Sequence, residues 1–534
     1  MKKKLTLFVL LSFLVPFFTL ALPQSTFADE KTPEDKFRVG MEAGYAPFNW
    51  TQTNDKYGAV PISGSKASWA GGYDVQIAKK IADGLGKELE IVKTEWDGLP
   101  VALQSANIDA VIAGMSPTAE RKKEIAFSDP YYESDLIVVV KTDGPYAKAK
   151  SLADLQGAKI TAQLSTFHYI VIGQIPDVQK QQAGKNFSQM RAQLLSGDID
   201  GYVSERPEGV TAETANQDFT MVEFDEGAGF QTNPEDVQVA IGMRKNDPDI
   251  VKVNEILAGI SPEERLDLMD QAIENQPVSQ NKETAEESGI FHDFKTIWQQ
   301  YGGLFLRGAA MTLFIALIST VVGSMIGLLI GVYRTIPEAG HKVARFFQLF
   351  FNKLLSLYIE VFRGTPMMVQ AMVIFYGLGM AFGINLNRTF AALLIVSTNT
   401  GAYMSEIVRG GIFAVDEGQF EAAQAIGMTH GQTMEKIIIP QVLRNILPAT
   451  GNEFVINIKD TAVLSVISVA DLFFQGNSAA GTNYQYFQTF TIIAIMYLIM
   501  TYTITRILRW VEKKMDGPSS YEKIEEQSPT EHKQ

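Results

Sequence analysis

The most informative segment of the chain is Glu421–Pro440, with the sequence EAAQAIGMTHGQTMEKIIIP. Ala422 and Ala423 give its first part a small-residue surface, and Gly427 permits a sharp turn because it has no Cβ. Apolar segments of about 20 residues, the length that spans a bilayer, flank this stretch on both sides. The sequence therefore predicts a polar loop held against a membrane, with a surface for another protein and no catalytic set.

Five apolar segments predict an all-α membrane domain in the C-terminal half. They cover residues 304–333, 359–382, 390–413, 447–472 and 487–508. Basic residues cluster after the first segment, from Arg334, and after the last, from Arg506, which assigns both ends to the cytoplasm. This orientation places the 421–440 loop inside and the polar N-terminal half outside.

The composition of the 534-residue chain excludes several classes of function. The net charge of −14 argues against a nucleic-acid surface, and the lack of cysteine excludes disulfides and thiolate chemistry. The five histidines show no paired metal-ligand spacing, and no Gly-x-x-x-x-Gly-Lys-Ser/Thr motif occurs. We therefore expect no metal, and no cofactor bound by this chain itself.

The N-terminus has the pattern of an export signal. Lys2–Lys4 precede an apolar run over residues 5–22, and small residues lead to Ala28. Ser12 and Pro16 interrupt the run, which favours a cleaved signal peptide over residues 1–28. An uncleaved anchor is the alternative, and either one exports the segment that follows.

Residues 31–276 alternate short apolar strands with amphipathic helices, which is typical of an α/β domain. Strands are predicted at 37–41 and 89–92, and apolar side chains at helical spacing predict a helix over 73–85.

Two further apolar strands flank a middle segment, which predicts two lobes. The first comprises residues 31–138 and 239–276, and the second comprises residues 139–238. A polar linker at 277–301 precedes the membrane domain at 302–515, and a cytoplasmic tail follows at 516–534.

Five motifs of the soluble half occur in a specific order. They are YAPF at 45–48, GYDV at 72–75, WDGL at 96–99, GMSPTAER at 114–121 and FSDPYY at 127–132. This series resembles the polar amino-acid-binding proteins of ABC importers. The resemblance covers about residues 37–276 and implies the two-lobed, type II fold of periplasmic binding proteins.

The membrane half resembles the matching permeases independently. The spacing Glu-Ala-Ala-x3-Gly-x9-Ile-x-Ile-Pro from Glu421 to Pro440 is similar to the coupling loop of type I ABC importer permeases. EVFRGTP at 360–366 and YMSEIVRGG at 403–411 are similar to the polar amino-acid permeases. Glu406 and Arg409 lie three residues apart on one helix face, so we interpret them as a structural pair near the cytoplasmic rim.

An amino acid needs partners for its carboxylate, its ammonium and its side chain. Arg121 can hold the carboxylate bidentately, and Ser116 can add its N–H and hydroxyl. Gly114 lets its backbone approach the ammonium, and Tyr45 and Trp96 can sandwich the ligand side chain. The alternative is that the two aromatic residues belong to the core and Arg121 to the surface.

The resemblance implies further ligand residues, three of them from the second lobe. Gln163 and Thr166 match a turn that donates hydrogen bonds, although Ser165 stands where the family usually has glycine. Glu205 matches an ammonium ligand that is often aspartate, with an exposed acid as the alternative. Glu42 points by resemblance at the ligand side chain, where a carboxylate suits Arg, Lys or His, and also an amide.

A lone histidine is more often structural than a ligand, and we interpret His168 in that way.

The resemblances imply a substrate-binding and permease subunit of an ATP-driven amino-acid importer that carries a polar or basic L-amino acid. They also imply a homodimer in lipid and a separate cytoplasmic ATPase that binds ATP and docks on the loop of Glu421, Ala422, Ala423, Gly427 and Pro440. The alternative is an amino-acid-gated channel or membrane sensor. A filter sequence such as Thr-Val-Gly-Tyr-Gly, which a channel would need, is not present.

Overall fold

A computed structural model describes residues 36–65, 68–277, 290–483 and 485–515 of the chain. The expected signal peptide at 1–28 and tail at 516–534 lie outside the described residues, as do residues 278–289 of the expected linker. The chain is already helical from Ile290, within the stretch expected to be linker.

The soluble half contains fourteen strands in its described residues. They are β1 Lys36–Met41, β2 Gly44–Tyr45, β3 Asn49–Gln52, β4 Val60–Pro61, β5 Trp69–Gly71, β6 Glu88–Lys93, β7 Ala110–Val111, β8 Ala126–Glu133, β9 Leu136–Lys141, β10 Lys159–Thr161, β11 Gln179–Lys180, β12 Gly201–Glu205, β13 Phe219–Val222 and β14 Gln238–Met243.

These strands form two five-stranded sheets and a smaller one, so the predicted two-lobed α/β fold is confirmed. The first lobe has strand order β6-β1-β7-β14-β8, and the second has β11-β10-β12-β9-β13. In the first lobe β1 pairs in parallel with β6 and β7, whereas β14 is antiparallel to its neighbours. Because β9 lies wholly in the second sheet, the chain crosses between lobes just before Leu136. The remaining strands, β2 to β5, form a four-stranded sheet.

The helices of the soluble half are α1 Tyr73–Leu85, α2 Leu99–Gln104, α3 Phe167–Val171, α4 Phe187–Ser196, α5 Arg206–Ala215, α6 Asp249–Ala258 and α7 Pro262–Asn275. Helix α1 has the predicted bounds because Ile77 and Ile81 recur on its buried face. It ends at Gly86, whose φ of 70° closes the helix in the left-handed conformation that glycine adopts readily.

The described residues of the membrane half are mainly helical. Its helices are α8 Ile290–Tyr333, α9 Lys342–Gly364, α10 Met367–Phe382, α11 Arg388–Phe413, α12 Glu417–Ala425, α13 His430–Thr433, α14 Ile439–Asp460, α15 Leu472–Asn483 and α16 Tyr486–Met515. By length and composition, α8 and α16 are apolar enough to cross a membrane in the described part of the chain. The pair α9 and α10, bent by 112°, makes a third span if it is counted as one.

Two predicted spans are not continuous helices. The 359–382 span breaks at Pro366, which lacks an N–H and disfavours the helical conformation of Thr365 before it. The 447–472 span ends as an α-helix at Asp460 and continues as the 3₁₀ helix Thr461–Ile467. Ser468 then adopts a φ of 59°, which turns the chain into α15, a helix that the sequence did not predict.

Small residues let α8 and α11 pack closely. A Cβ at Gly323 would lie 2.6 Å from Thr400, and one at Gly327 would lie 2.4 Å from Met404. Because lipid supplies no hydrophobic driving force between helices, such close backbone contact is a main source of helix association in membranes.

Candidate functional site

Eight of the nine predicted ligand residues line one cleft between the two lobes: Tyr45, Trp96, Gly114, Ser116, Arg121, Gln163, Thr166 and Glu205. The fold explains this convergence. Trp96 follows β6, Gln163 follows β10 and Glu205 ends β12, and each of these strands pairs in parallel with a neighbour in its sheet. The carboxyl ends of parallel strands meet at one edge of a sheet, which is where α/β folds bind ligands.

Glu205 is buried in the cleft and is held by partners from both lobes. Its Oε1 lies 2.9 Å from Nε2 of His168, and the Tyr45 hydroxyl donates to Oε2. Burial alone would raise the pKa of Glu205, but His168 and Tyr45 outweigh it and lower the pKa below its usual value. Glu205 is therefore an ionised acid in a closed site, and its alternative reading as an exposed acid is wrong.

His168 was interpreted from the sequence as structural, but its ring belongs to the cleft wall. It is only 7% exposed, and its interaction with the Glu205 carboxylate is the first cause that lowers the pKa of Glu205. The sequence did contain a signal for this position in the cleft. His168 comes only two residues after Thr166, a predicted ligand residue, at the start of α3.

Arg121 joins the lobes from the opposite wall. Its guanidinium donates to the Ser116 carbonyl at 3.0 Å and to the Ser165 carbonyl of the second lobe at 2.8 Å. Burial lowers the pKa of Arg121 to about 10, so the side chain stays charged at neutral pH. Ser165 adopts a φ of 60°, so it makes the left-handed turn for which the family usually has glycine.

The aromatic pair in the cleft differs from the expected one. Tyr45 stacks on Phe187 of the second lobe, with ring centroids 4.6 Å apart and planes 7° from parallel. Trp96 instead faces the Arg121 guanidinium, which lies 5.1 Å from its ring centroid. The sequence missed Phe187, although it opens helix α4 directly after the capping residue Asn186.

Gly114 and Thr166 occupy positions that constrain them. Gly114 has a φ of 64°, and a Cβ there would lie 2.7 Å from the Tyr45 ring, so a side chain would distort the wall. The Thr166 hydroxyl donates to the Gln163 carbonyl at 2.7 Å and so stabilises the turn that carries both residues.

Glu42 does not line the cleft and instead lies behind Gln163, whose Nε2 is 3.4 Å from the Glu42 carboxylate. Burial, reinforced by Glu95, raises the pKa of Glu42 to about 8, although Gln163 and Lys93 oppose the shift. Gln163 therefore separates this acid from the space that a ligand would occupy.

The predicted coupling loop has a defined turn at its centre. Gly427 adopts a φ of 79° and its N–H donates to the Gln424 carbonyl at 2.9 Å, while the Met428 N–H donates to the Ala423 carbonyl at 3.0 Å. These two bonds form a Schellman motif that ends α12, so the predicted sharp turn is confirmed. Ala423 is buried, whereas Ile426 is 77% exposed.

The other residues predicted in this loop are exposed. Glu421 and Ala422 lie on the surface of α12, and Pro440 lies in the first turn of α14.

Glu406 forms the predicted structural pair. Its Oε2 lies 2.7 Å from the Arg409 guanidinium, and Arg334 at the end of α8 binds the other oxygen. The cluster therefore fixes α8 against α11 at the end remote from the soluble half.

Known families match both halves. Binding-protein-dependent transport system inner membrane components match residues 339–517, and bacterial extracellular solute-binding proteins of family 3 match residues 37–272. The chain is 37% identical over 224 residues to the glutamine transport system permease protein GlnP of Escherichia coli K12, covering 42% of this chain and 97% of that protein.

Two further relatives come from other bacteria. The arginine transport system permease protein ArtQ of Bacillus subtilis 168 is 33% identical over 210 residues, which cover 39% of this chain and 91% of that protein. A solved amino acid ABC transporter substrate-binding protein of Streptococcus pneumoniae, bound to L-arginine, is 27% identical over 45% of this chain and 94% of that chain, with a TM-score of 0.40.

The matches to the soluble half and to the membrane half agree, and none of these relatives is a channel or a sensor. The chain belongs to the amino-acid ABC importers, as a subunit of the cell membrane that joins an extracellular substrate-binding domain to a permease domain in one polypeptide.

Proposed function

We propose that the cleft holds the charged groups of an amino acid between its two lobes. Arg121, with Ser116, receives the carboxylate, and the ionised Glu205 receives the ammonium. The observation that carries this proposal is the placement of Arg121 and the buried Glu205 in one cleft, on different lobes. A ligand that bridges these groups stabilises the closed lobes, because its charged groups bind Arg121 on one lobe and Glu205 on the other only when the cleft is closed.

The ligand side chain lies against aromatic rings and a polar end in this proposal. The stacked rings of Tyr45 and Phe187 line one side, Trp96, Gly114 and Thr166 complete the wall, and Gln163 with Glu42 behind it provides the polar end. This arrangement suits a planar amide or guanidinium, and relatives are named for glutamine and for arginine transport.

Calorimetry of the purified full chain against the twenty L-amino acids tests the substrate class. We expect the tightest binding for L-glutamine or L-arginine. If Glu42 acts on a cationic side chain, E42Q will weaken arginine binding by at least about tenfold and leave glutamine binding nearly unchanged.

E235Q, at a surface ion pair with Lys122, is the matched control. Equal losses for both ligands in E42Q would remove Glu42 from side-chain selection.

We further propose that ATP hydrolysis occurs on a separate subunit that docks on the loop of Glu421, Ala422, Ala423, Gly427 and Pro440, and that two copies of this chain form the transport path. The exposed Ile426 at the loop supports docking of a partner. Helix α11 also begins beside the binding domain, where Asn385 donates to the Ala106 carbonyl, and leads about 39 Å away toward the loop.

Mass measurement of the complex purified with its ATPase tests the assembly. Two copies of this chain per particle are expected, and a particle with a single copy would contradict the proposal.

A further inference from the structure

Helix α15 of the permease is buried between the membrane helices and the binding domain. Most of its side chains are small, and its buried residues are Leu472, Phe474, Gln475, Gly476, Ser478, Ala479, Ala480, Gly481 and Thr482. On the permease side, a Cβ at Gly476 would lie 2.7 Å from Ile493 of α16. Close packing at Gly476 therefore couples α15 to α16.

The first lobe binds α15 through polar contacts. Lys93 at the end of β6 donates to Ser478 and to Thr51 of β3, the latter at 3.0 Å, and its ammonium lies 5.1 Å from the centre of the Phe474 ring. The Thr482 hydroxyl donates to the Thr51 carbonyl at 3.0 Å. These contacts satisfy the buried Lys93 ammonium with one hydroxyl from each domain.

The second lobe reaches the same helix. A Cβ at Gly481 would lie 3.4 Å from the Ser188 hydroxyl of α4 and 3.6 Å from the Gly44 Cα of the first lobe. Gly481 thus lies where three parts of the molecule meet.

We propose that α15 detects closure of the binding domain of its own chain. Its docking surface combines Gly44, Thr51 and Lys93 of the first lobe with Ser188 of the second, so the surface is complete only when the lobes are closed. Since α15 packs on α16, closure that follows capture of an amino acid is passed directly to a membrane-spanning helix. This inference rests on the proposed capture of an amino acid by the cleft.

Disulfide crosslinking tests the inference cleanly because the chain has no cysteine of its own. Cysteine at Gly481 is combined with S188C on the second lobe or with G44C on the first, since both sites lie within the reach of a disulfide. A protease site introduced in residues 278–289 then separates the two halves, so that a crosslink within one chain keeps them together on a non-reducing gel.

L-glutamine and L-arginine are the probes. We expect the bound probe to speed the G481C/S188C crosslink by at least about fivefold and the G481C/G44C crosslink by less than about twofold, because the first lobe carries most of the contacts. Both crosslinks should stay within one chain. Equal rates for G481C/S188C with and without a bound probe, or crosslinks that join two chains, would overturn the inference.

Failure of both probes to bind in calorimetry would count against the proposed substrate class instead, and the location of the crosslinks would still decide whether docking occurs within one chain.

A second variant addresses the contact of Lys93 with the permease. K93M removes a hydrogen bond and a cation–π contact to α15, so we expect ligand-stimulated ATP hydrolysis by the complex to fall about tenfold while the Kd changes less than about twofold. K87M is the matched control, since Lys87 pairs with Asp249 within the same lobe. Unchanged stimulation in K93M would overturn the role of this contact.

Discussion

The ligand cleft and the interior of the permease bury polar groups in different ways. The cleft relies on ionised side chains, Arg121 and Glu205, whose partners come from opposite lobes. Where α8, α11 and α14 meet, the permease instead joins helices through neutral groups: Asn457 donates to Thr320 at 2.8 Å and to Thr400 at 3.0 Å.

The difference follows from the solvent of each region. When the lobes open, their charged groups are solvated by water. A charged group within the bilayer is not solvated in this way, so burying it costs free energy. Substitutions in the cleft should therefore change ligand affinity, and those in the permease should change stability or coupling. Each of the following variants tests this division.

R121A should have the largest effect. Removal of the guanidinium leaves a ligand carboxylate without its charged partner, at a cost of about 3 kcal/mol or more, which is at least a hundredfold in Kd. Calorimetry of the full chain measures it. R206A is the control, since Arg206 forms an exposed ion pair with Glu223. Tight binding retained in R121A would remove Arg121 from the site.

G427D should separate coupling from binding. The φ of 79° disfavours any side chain with a Cβ, although the space around Gly427 is open. We expect ligand-stimulated ATP hydrolysis in lipid to fall at least about tenfold, since the turn that ends α12 is strained.

G340D, placed in the loop before α9 where space is also open, controls for the added charge. Full stimulation in G427D, with normal ligand binding, would mean that this loop is not the coupling element.

N457A should act on stability alone. It leaves the hydroxyls of Thr320 and Thr400 without their shared partner in a buried site, at a cost of about 1–3 kcal/mol. A lower thermal unfolding temperature is expected, with the Kd for the amino acid unchanged. T491A is the control, because Thr491 bonds only to the Phe487 carbonyl of its own helix. A large loss of affinity in N457A would break the division between the two regions.

The last variant concerns the dependence of stability on pH. The pKa of Glu42 is raised by burial from 4.5 to about 8, so the folded state prefers the protonated acid. That contribution to stability is fully present below pH 4.5 and is lost as the pH rises through about 8. E42Q stays neutral, so its unfolding temperature relative to wild type should rise between pH 5 and about 8.5. A difference independent of pH would show that Glu42 ionises freely.

The sequence predicted most of the cleft through motifs that resemble the polar amino-acid-binding proteins, and the fold explains why those motifs meet, since the ends of parallel strands converge at one edge of a sheet. It failed for Phe187 and His168, whose positions depend on how closely the second lobe approaches the first. Periodicity can describe α4, but it cannot reveal that Phe187 stacks on Tyr45 from the other lobe.

Helix α15 was missed for a different reason. Its small residues lack the apolar stripe of a membrane span, and they are buried because both the membrane helices and the binding domain cover them. The break at Ser468 is also not readable from composition, since serine rarely adopts a positive φ. Contacts between domains, rather than local propensity, decide this part of the fold.

The fusion of the two domains has a kinetic consequence. Helix α7 ends at Asn275 and α8 begins at Ile290, so this connection can extend no further than about 50 Å. A tether of that reach keeps the binding domain at an effective concentration in the millimolar range at its own permease. The docking interaction can then be weak while the docking site on the permease is still occupied in every transport cycle. The rate of import therefore follows the ligand concentration outside and not the abundance of a free binding protein.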